Sequence, residues 1–271
     1  MAITSPRTSL GTAVVTGASA GLGRIYADRL ARRGYDLLLI ARRGDLLEAA
    51  ATELRAAYGV EVRRLVTDLG NPADLAKVVA VLSADERITM LVNNAGVATM
   101  APIAATAPGQ LASMIDVNVT AVAALTLAVL PGFKARDHGT IVNIGSVLGY
   151  AALPISSIYS ATKGFVMHFT SGLRAELAAT KIRVQLVAPS ATATDIWELA
   201  GVPLSKLNAE TVMRAEDCVD AALAGLDAGE AVTLPSVEDT SSLGTFDTAR
   251  VALLTSAQRS RPASRYALAA K

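Results

Sequence analysis

Tyr159 and Lys163, in the stretch YSATK, lie four residues apart and share one face if the segment is helical. A free tyrosine titrates at about 10 and exchanges protons poorly at neutral pH, but a neighbouring ammonium favours the phenolate. The spacing therefore predicts a coupled acid/base pair in which Lys163 lowers the pKa of Tyr159. A second group stands at residues 16–23, TGASAGLG, with glycines at 17, 21 and 23 between an apolar run and a stretch of helix formers. Glycine loses more freedom on ordering than any other residue, so this clustering implies a backbone that something must approach closely. A strand, a glycine turn and a helix N-terminus together aim N–H groups and the positive dipole end at a pyrophosphate. The spacing G-x-x-x-G-x-G is not the G-x-G-x-x-G of many dinucleotide folds, so an ordinary tight turn stays open for this motif taken alone.

Something must hold these residues in place, and composition bounds what that is. The chain has 271 residues, 52% apolar and 18% charged, with no Pro/Ser-rich linker, charge run or internal repeat. That predicts one globular domain, residues 1–235, with a C-terminal tail over 236–271 belonging to it. Its 25 basic and 24 acidic side chains nearly cancel, which argues against nucleic acid or an anionic membrane as partner. MAITSPRTSLG has no apolar core of signal-peptide length and no uninterrupted apolar stretch reaches roughly 18 residues, so a cytoplasmic location is expected. Cys218, the single cysteine, reads as a small buried apolar residue. His138 and His168 have no metal-ligand neighbours, and no metal site is expected.

Continuous apolar runs at 12–16, 36–40, 60–66, 90–93, 140–144, 183–188 and 231–234 read as strands covered on both faces. Between them, 22–33, 45–58, 72–84, 110–130, 158–179 and 215–226 read as helices, with Pro72 suited to a first turn. The alternation predicts an α/β fold, a doubly wound, seven-stranded parallel sheet flanked by helices. VTAVAALTLAVLPGF is apolar almost all round, so this helix is expected to pack on the sheet and on something else. Beyond Ser236 the pattern weakens; TARVALL is at best one short helix, and the closing residues read as loosely held.

These motifs, taken in order, resemble the short-chain dehydrogenase/reductase family over roughly residues 10–234. The likeness rests on TGASAGLG, on Asp68 and Leu69 after the third strand, on NNAG at 93–96, on DVNVT around Asn118, on Ser146 and on YSATK. It implies a Rossmann arrangement whose carboxyl strand ends hold a dinucleotide. Gly17, Ser19, Gly21, Leu22 and Gly23 would meet the pyrophosphate, Asp68 and Leu69 the adenine side, and Asn94, Ala95 and Gly96 would line the cofactor. Where such sites place an acidic residue after the second strand to read the ribose, this chain has IARRG. Arg42, with Arg43 beside it, offers a guanidinium fork to a 2′-phosphate, which predicts NADP(H) in preference to NAD(H). Arg24 either adds charge nearby or is merely solvated.

By the same resemblance Tyr159 exchanges the proton with a carbonyl or alcohol oxygen and Ser146 bonds that oxygen. Lys163 also holds the nicotinamide ribose, and Asn118 anchors a water leading to solvent. The family usually carries Pro-Gly after the sixth strand; here Pro189 is followed by Ser190, so a strained or shifted loop is expected if the turn demands φ > 0. Thr192 and Thr194 fall where the family contacts the carboxamide. The loop over about 190–215 should cover the substrate, with Trp197, Leu199 and Val202 facing Leu148, Tyr150, Leu153 and Ile155. A hydrophobic ketone, an aldehyde or a 3-oxoacyl group is expected, and the apolar helix implies a homodimer or homotetramer. A non-catalytic NADP-binding sensor of the same fold is the alternative; the complete set Asn118, Ser146, Tyr159 and Lys163 weighs against it.

Overall fold

A computed structural model describes residues 9–266, and the chain divides into two compact units, 1–236 and 237–271. Residues 1–8, which hold most of the segment read for a signal sequence, and 267–271, the close of the tail, lie outside the described residues. In the first unit the strands are β1 (Thr12–Thr16), β2 (Asp36–Ala41), β3 (Val62–Val66), β4 (Ile88–Asn93), β5 (Gly139–Ile144), β6 (Ile182–Val187) and β7 (Val232–Thr233). They form one parallel sheet in the order β3-β2-β1-β4-β5-β6-β7, each within a residue or two of the predicted run. The helices are α1 (Gly21–Arg32), α2 (Gly44–Tyr58), α3 (Pro72–Ala84), α4 (Pro108–Ile115), α5 (Val122–Arg136), α6 (Ser157–Glu176), α7 (Ile196–Leu199) and α8 (Ala215–Asp227).

The inner strands are mostly apolar because successive side chains enter different layers, both buried, whereas β3 at the sheet edge is not covered on both faces: it carries Arg63 and Arg64 and leaves Val66 exposed. Ala13 and Val15 of β1 pack with Leu37, Leu39 and Val92 under α1, α2 and α8. Val14 goes the other way, joining Leu38, Leu91 and Ile141 under α3, α5 and α6. Strand order reverses between β1 and β4, where a crevice opens at the carboxyl ends.

The helix expected over 110–130 is a longer run. α4 leads into a π-helical turn, Asp116–Ala121, and then α5 continues past Pro131 to Arg136. Continuation is held by Phe133, fully buried against Gly139, and by Arg136, whose Nη2 donates to the Ile88 carbonyl at 2.7 Å. Pro108–Arg136, 29 residues long with a window of mean hydropathy 1.8, is by length and composition apolar enough to cross a membrane. Asn118, Thr120 and Thr126 interrupt the run in sequence, but half of its apolar window is buried inside the fold.

The second unit carries α9 (Ser241–Ala257), 17 residues where at best a short helix was expected. Its threonines turn their hydroxyls back onto the helix: Thr245, Thr248 and Thr255 each donate to the carbonyl four residues back.

The sheet's interior holds a polar ladder. Asn93 Nδ2 donates to Asn143 Oδ1 at 2.9 Å and to Thr126 Oγ1 at 3.1 Å, and Asn143 Nδ2 donates to Thr170 Oγ1 at 2.9 Å. All four residues are buried, so the ladder ties β4 and β5 to the helices above them where water cannot substitute. Asn143→Ala removes the acceptor of one buried Asn93 N–H and the donor to Thr170 Oγ1, which still donates to the Val166 carbonyl, and should cost about 2–4 kcal/mol. In a thermal melt this is a fall of roughly 5–15 °C; a wild-type melting temperature would show that the ladder contributes nothing.

Candidate active site

β1 ends at Thr16 and the chain turns at once, with Gly17 at φ +69° and Gly21 at φ +54°, both in the left-handed region. A Cβ at Gly17 would stand 2.9 Å from Asn94 Nδ2, and one at Gly23 would run into the Gly17 carbonyl oxygen. Only bare backbone fits at either place. α1 starts at Gly21 with no side-chain cap from Ala20, which leaves its first N–H groups and dipole end for an anion. The turn is clamped to β4: Thr16 Oγ1 accepts from the N–H groups of Asn94 and Ala95, each at 2.9 Å, and Asn94 Nδ2 donates to the Thr16 carbonyl at 2.8 Å. This cradle fits a dinucleotide pyrophosphate.

From the glycine turn a cavity of about 380 Å³ runs to Tyr159. Gly17, Gly21, Leu22, Asn94, Ala95 and Gly96 line one end. Ser146, Leu148, Tyr159, Lys163 and Trp197 line the other, with Pro189, Thr192 and Thr194 between. Ser19, Gly23, Arg42, Asp68, Leu69, Asn118 and Tyr150 do not line it. Leu69 is buried in the layer under α3, and Asp68 turns the chain by accepting from the Gly70 N–H at 3.0 Å. Of the other apolar residues expected, Leu153 and Leu199 line the cavity and Ile155 and Val202 do not. Sequence reasoning missed Ala98, Met100, Ile196 and Ala200, which complete the apolar wall. Nothing in their types marks them; only the fold brings 98–100 opposite 196–200.

Tyr159 and Lys163 lie on the buried face of α6, 8% and 5% exposed. Lys163 Nζ donates to the Ile144 carbonyl at the end of β5, 2.8 Å, and stands 5.7 Å from the centre of the Tyr159 ring. Burial pushes the Tyr159 phenol up to about 12, with a hydrogen bond to Ser146 pulling the other way. Desolvation of the phenolate is the largest influence, so the net shift is upward and not the downward one expected from the spacing. Burial likewise lowers the Lys163 ammonium to about 8. Ser146 caps a tight turn at Val147–Gly149, its Oγ accepting from the Leu148 N–H at 3.1 Å.

Asn118 sits in the π-helical turn, where its amide is committed to protein. Oδ1 accepts from the Val97 N–H at 2.9 Å, while Nδ2 donates to the Val97 carbonyl at 2.8 Å and to Thr162 Oγ1 at 3.0 Å. Its side chain thus fixes the segment after β4 against α6.

The strain expected at Ser190 does not arise: among the described residues only Asp137 is a non-glycine at positive φ. The turn after β6 stays in ordinary backbone space, and Ser190 Oγ accepts from Ser236 Oγ at 3.2 Å. Cys218 is buried on α8, its thiol pushed up to about 11 by desolvation.

The two arginines after β2 part company. Arg43 lines the cavity, with Nε donating to Ser19 Oγ at 3.4 Å and Nη1 3.8 Å from Asp195 Oδ2. Arg42 points along the rim, its Nη1 3.9 Å from Asp68 Oδ2. Arg24 pairs with Glu53 at 2.6 Å, away from both.

The sequence pattern of the short chain dehydrogenase family matches residues 11–201. Among solved structures, the chain is similar to a short-chain dehydrogenase from Sphingobium yanoikuyae in complex with NADPH, with 43% identity, TM-score 0.92, and coverage of 95% of this chain and 100% of that one. It is also similar to a bulky-bulky ketone specific alcohol dehydrogenase from Comamonas testosteroni, 36% identical, TM-score 0.88, over 96% of this chain and 99% of the other. A very-long-chain 3-oxoacyl-CoA reductase of Anas platyrhynchos is 36% identical over 207 residues, 75% of this chain. The chain spans just under two thirds, 66%, of that reductase's length.

The buried lysine makes stability depend on pH. With its folded value near 8, Lys163 has released a proton that the unfolded chain still holds, up to the ordinary lysine value of about 10.4. Unfolding then takes up protons, so stability rises with pH across this window; below it both states are charged and the full desolvation penalty stands. Lys163→Met should be more stable than wild type near pH 7, with the advantage shrinking toward pH 10. Melting temperatures across that range check it; a gap that does not change with pH would show that Lys163 is not the titrating group.

Proposed function

Because the chain belongs to the short-chain dehydrogenase/reductase family and is an oxidoreductase acting on carbonyl or hydroxyl groups, we propose that it reduces a bulky hydrophobic ketone or 3-oxoacyl group with NADPH in preference to NADH. The observation that carries this reading is the composition of the cavity. Its charged lining residues are Lys163, Arg43 and Asp195 alone, while Leu148, Leu153, Met100, Ile196 and Trp197 wall the space before Tyr159. An apolar pocket with few placed polar groups selects substrates by shape. The likeness to the ketone-specific alcohol dehydrogenase and to the 3-oxoacyl-CoA reductase supports the same substrate range.

NADPH supplies the hydride when bound. Gly17, Gly21 and the N-terminus of α1 would hold its pyrophosphate, Asn94 to Gly96 with Thr192 and Thr194 its nicotinamide half, and Arg42 and Arg43 its 2′-phosphate. Tyr159, kept protonated by burial, donates the phenolic proton to the carbonyl oxygen, and Ser146 Oγ donates a second hydrogen bond to it. Lys163, held by Ile144, supplies the positive charge that stabilises the phenolate left behind. Exposed Leu111, Ile115 and Leu127 on α4 and α5 offer an apolar face for a second subunit.

Fluorescence titration with NADPH and NADH, followed by nicotinamide absorbance against ketones of increasing bulk, tests this reading. Arg42→Ala and Arg43→Ala should each weaken NADPH by roughly 10-fold and leave NADH unchanged, and equal weakening would exclude a 2′-phosphate contact. Tyr159→Phe should lower kcat by at least about 100-fold with NADPH affinity retained. Turnover surviving in Tyr159→Phe would overturn the proton-transfer role; binding without turnover on any ketone would favour the sensor reading.

A further inference from the structure

Asp195 immediately precedes α7, where an aspartate ordinarily accepts from the helix's first N–H groups. It makes no such bond. Among the described residues its carboxylate has one charged or hydrogen-bonded partner, Arg43 Nη1 at 3.8 Å, across the cavity whose lining both residues share. Arg43 also reaches Ser19 on the glycine turn, and a Cβ on Gly21 would stand 3.3 Å from Thr194 Cγ2, so the loop carrying Asp195 rests against the turn. Two positions beyond Asp195 is Trp197, the only tryptophan, whose Nε1 donates to the Thr192 carbonyl at 2.9 Å.

We propose that Asp195 is a positioning residue for cofactor choice: its carboxylate holds Arg43 until an adenosine 2′-phosphate displaces it, which ties recognition of that phosphate to the loop bearing Trp197. The proposal rests on the preference for NADPH. The pair is suited to exchange. At 3.8 Å, with side chains 50% and 66% exposed, it is a loose surface ion pair of small net strength. A phosphomonoester offers more charge and a bidentate geometry to the same guanidinium, so it wins the competition. The displaced carboxylate is then left beside a like charge, which favours a shift of the loop that separates the two. A cofactor without the 2′-phosphate leaves the pair intact.

Trp197 reports the shift without turnover. The probes are 2′,5′-ADP, which carries the phosphate and lacks the nicotinamide, and 5′-ADP, which lacks both; affinities come from calorimetry and loop response from Trp197 emission. In wild type, 2′,5′-ADP should change the emission and 5′-ADP at matched saturation should not. Asp195→Asn should bind 2′,5′-ADP up to about fivefold more tightly, bind 5′-ADP as before, and give no emission response to either. Asp195→Ser should behave alike, which separates loss of charge from any effect of the amide, and Arg43→Met should reduce the preference itself by roughly 10-fold. If both nucleotides bind wild type equally, the NADPH preference fails and this role fails with it. If 2′,5′-ADP binds wild type more tightly but Asp195→Asn matches wild type in affinity and emission, the preference stands and the Asp195 role is overturned.

Discussion

The site depends on one close approach of backbone to backbone, between Gly23 in the first turn of α1 and the carbonyl of Gly17. Because Gly23 has no Cβ, α1 begins pressed onto the end of β1, and Thr16 is left at the mouth of the turn with its hydroxyl facing β4. That hydroxyl takes two successive N–H groups, from Asn94 and Ala95, and so fixes the path of the chain as β4 ends. Gly96 then passes between Asn118 and Lys163, where a Cβ would stand 3.4 Å from Asn118 Oδ1 and 3.7 Å from Lys163 Nζ. A continuous set of contacts thus joins the phosphate cradle to the acid/base pair.

Burial governs the chemistry at the other end of that chain of contacts. It raises the tyrosine and lowers the lysine, and these shifts favour a protonated phenol beside an ammonium that gives up its proton readily. Among the described residues, the desolvated Lys163 has one acceptor, the Ile144 carbonyl. Such a group is tolerated where surrounding structure is over-determined, and here it is. The polar ladder through Asn93 and Asn143 locks β4 to β5 directly below, and the amide of Asn118 locks the π-helical turn to α6.

Much of this was legible in the sequence, for reasons that differ by element. The strands were visible because a sheet covered on both faces needs unbroken apolar runs, and the glycines because only they tolerate the turn. Asn143 was visible in principle as an amide inside the apolar run IVNIG, but a single chain does not show that Thr126 and Thr170 meet it. The rise in the tyrosine pKa was not legible, because spacing puts Lys163 nearby without telling how much water either group keeps. The same limit hid the difference between Arg42 and Arg43, which are adjacent in sequence yet face the rim and the cavity. The apolar wall was half seen: the loop after Thr194 was recognisable, but the residues opposite it, Ala98 and Met100, are ordinary until the sheet places them.

The two ends of the cavity also differ in how firmly their charges are held, and the difference follows from solvent. Near the glycine turn, Arg42 and Arg43 are half exposed and sit almost 4 Å from Asp68 and Asp195, so water screens each pair and its partners can be exchanged cheaply. Around Tyr159 the groups are buried, Lys163 is held by the Ile144 carbonyl and Asn118 by Val97 and Thr162, and exchange would leave an unpaired group in low dielectric. The first arrangement suits a ligand that arrives and leaves with its own charge. The second suits a reaction in which charge appears for an instant on one oxygen and must find its stabilising groups already in place. One sheet edge supports both because the phosphate end opens at its rim while the reacting end is roofed by apolar side chains from 196–200.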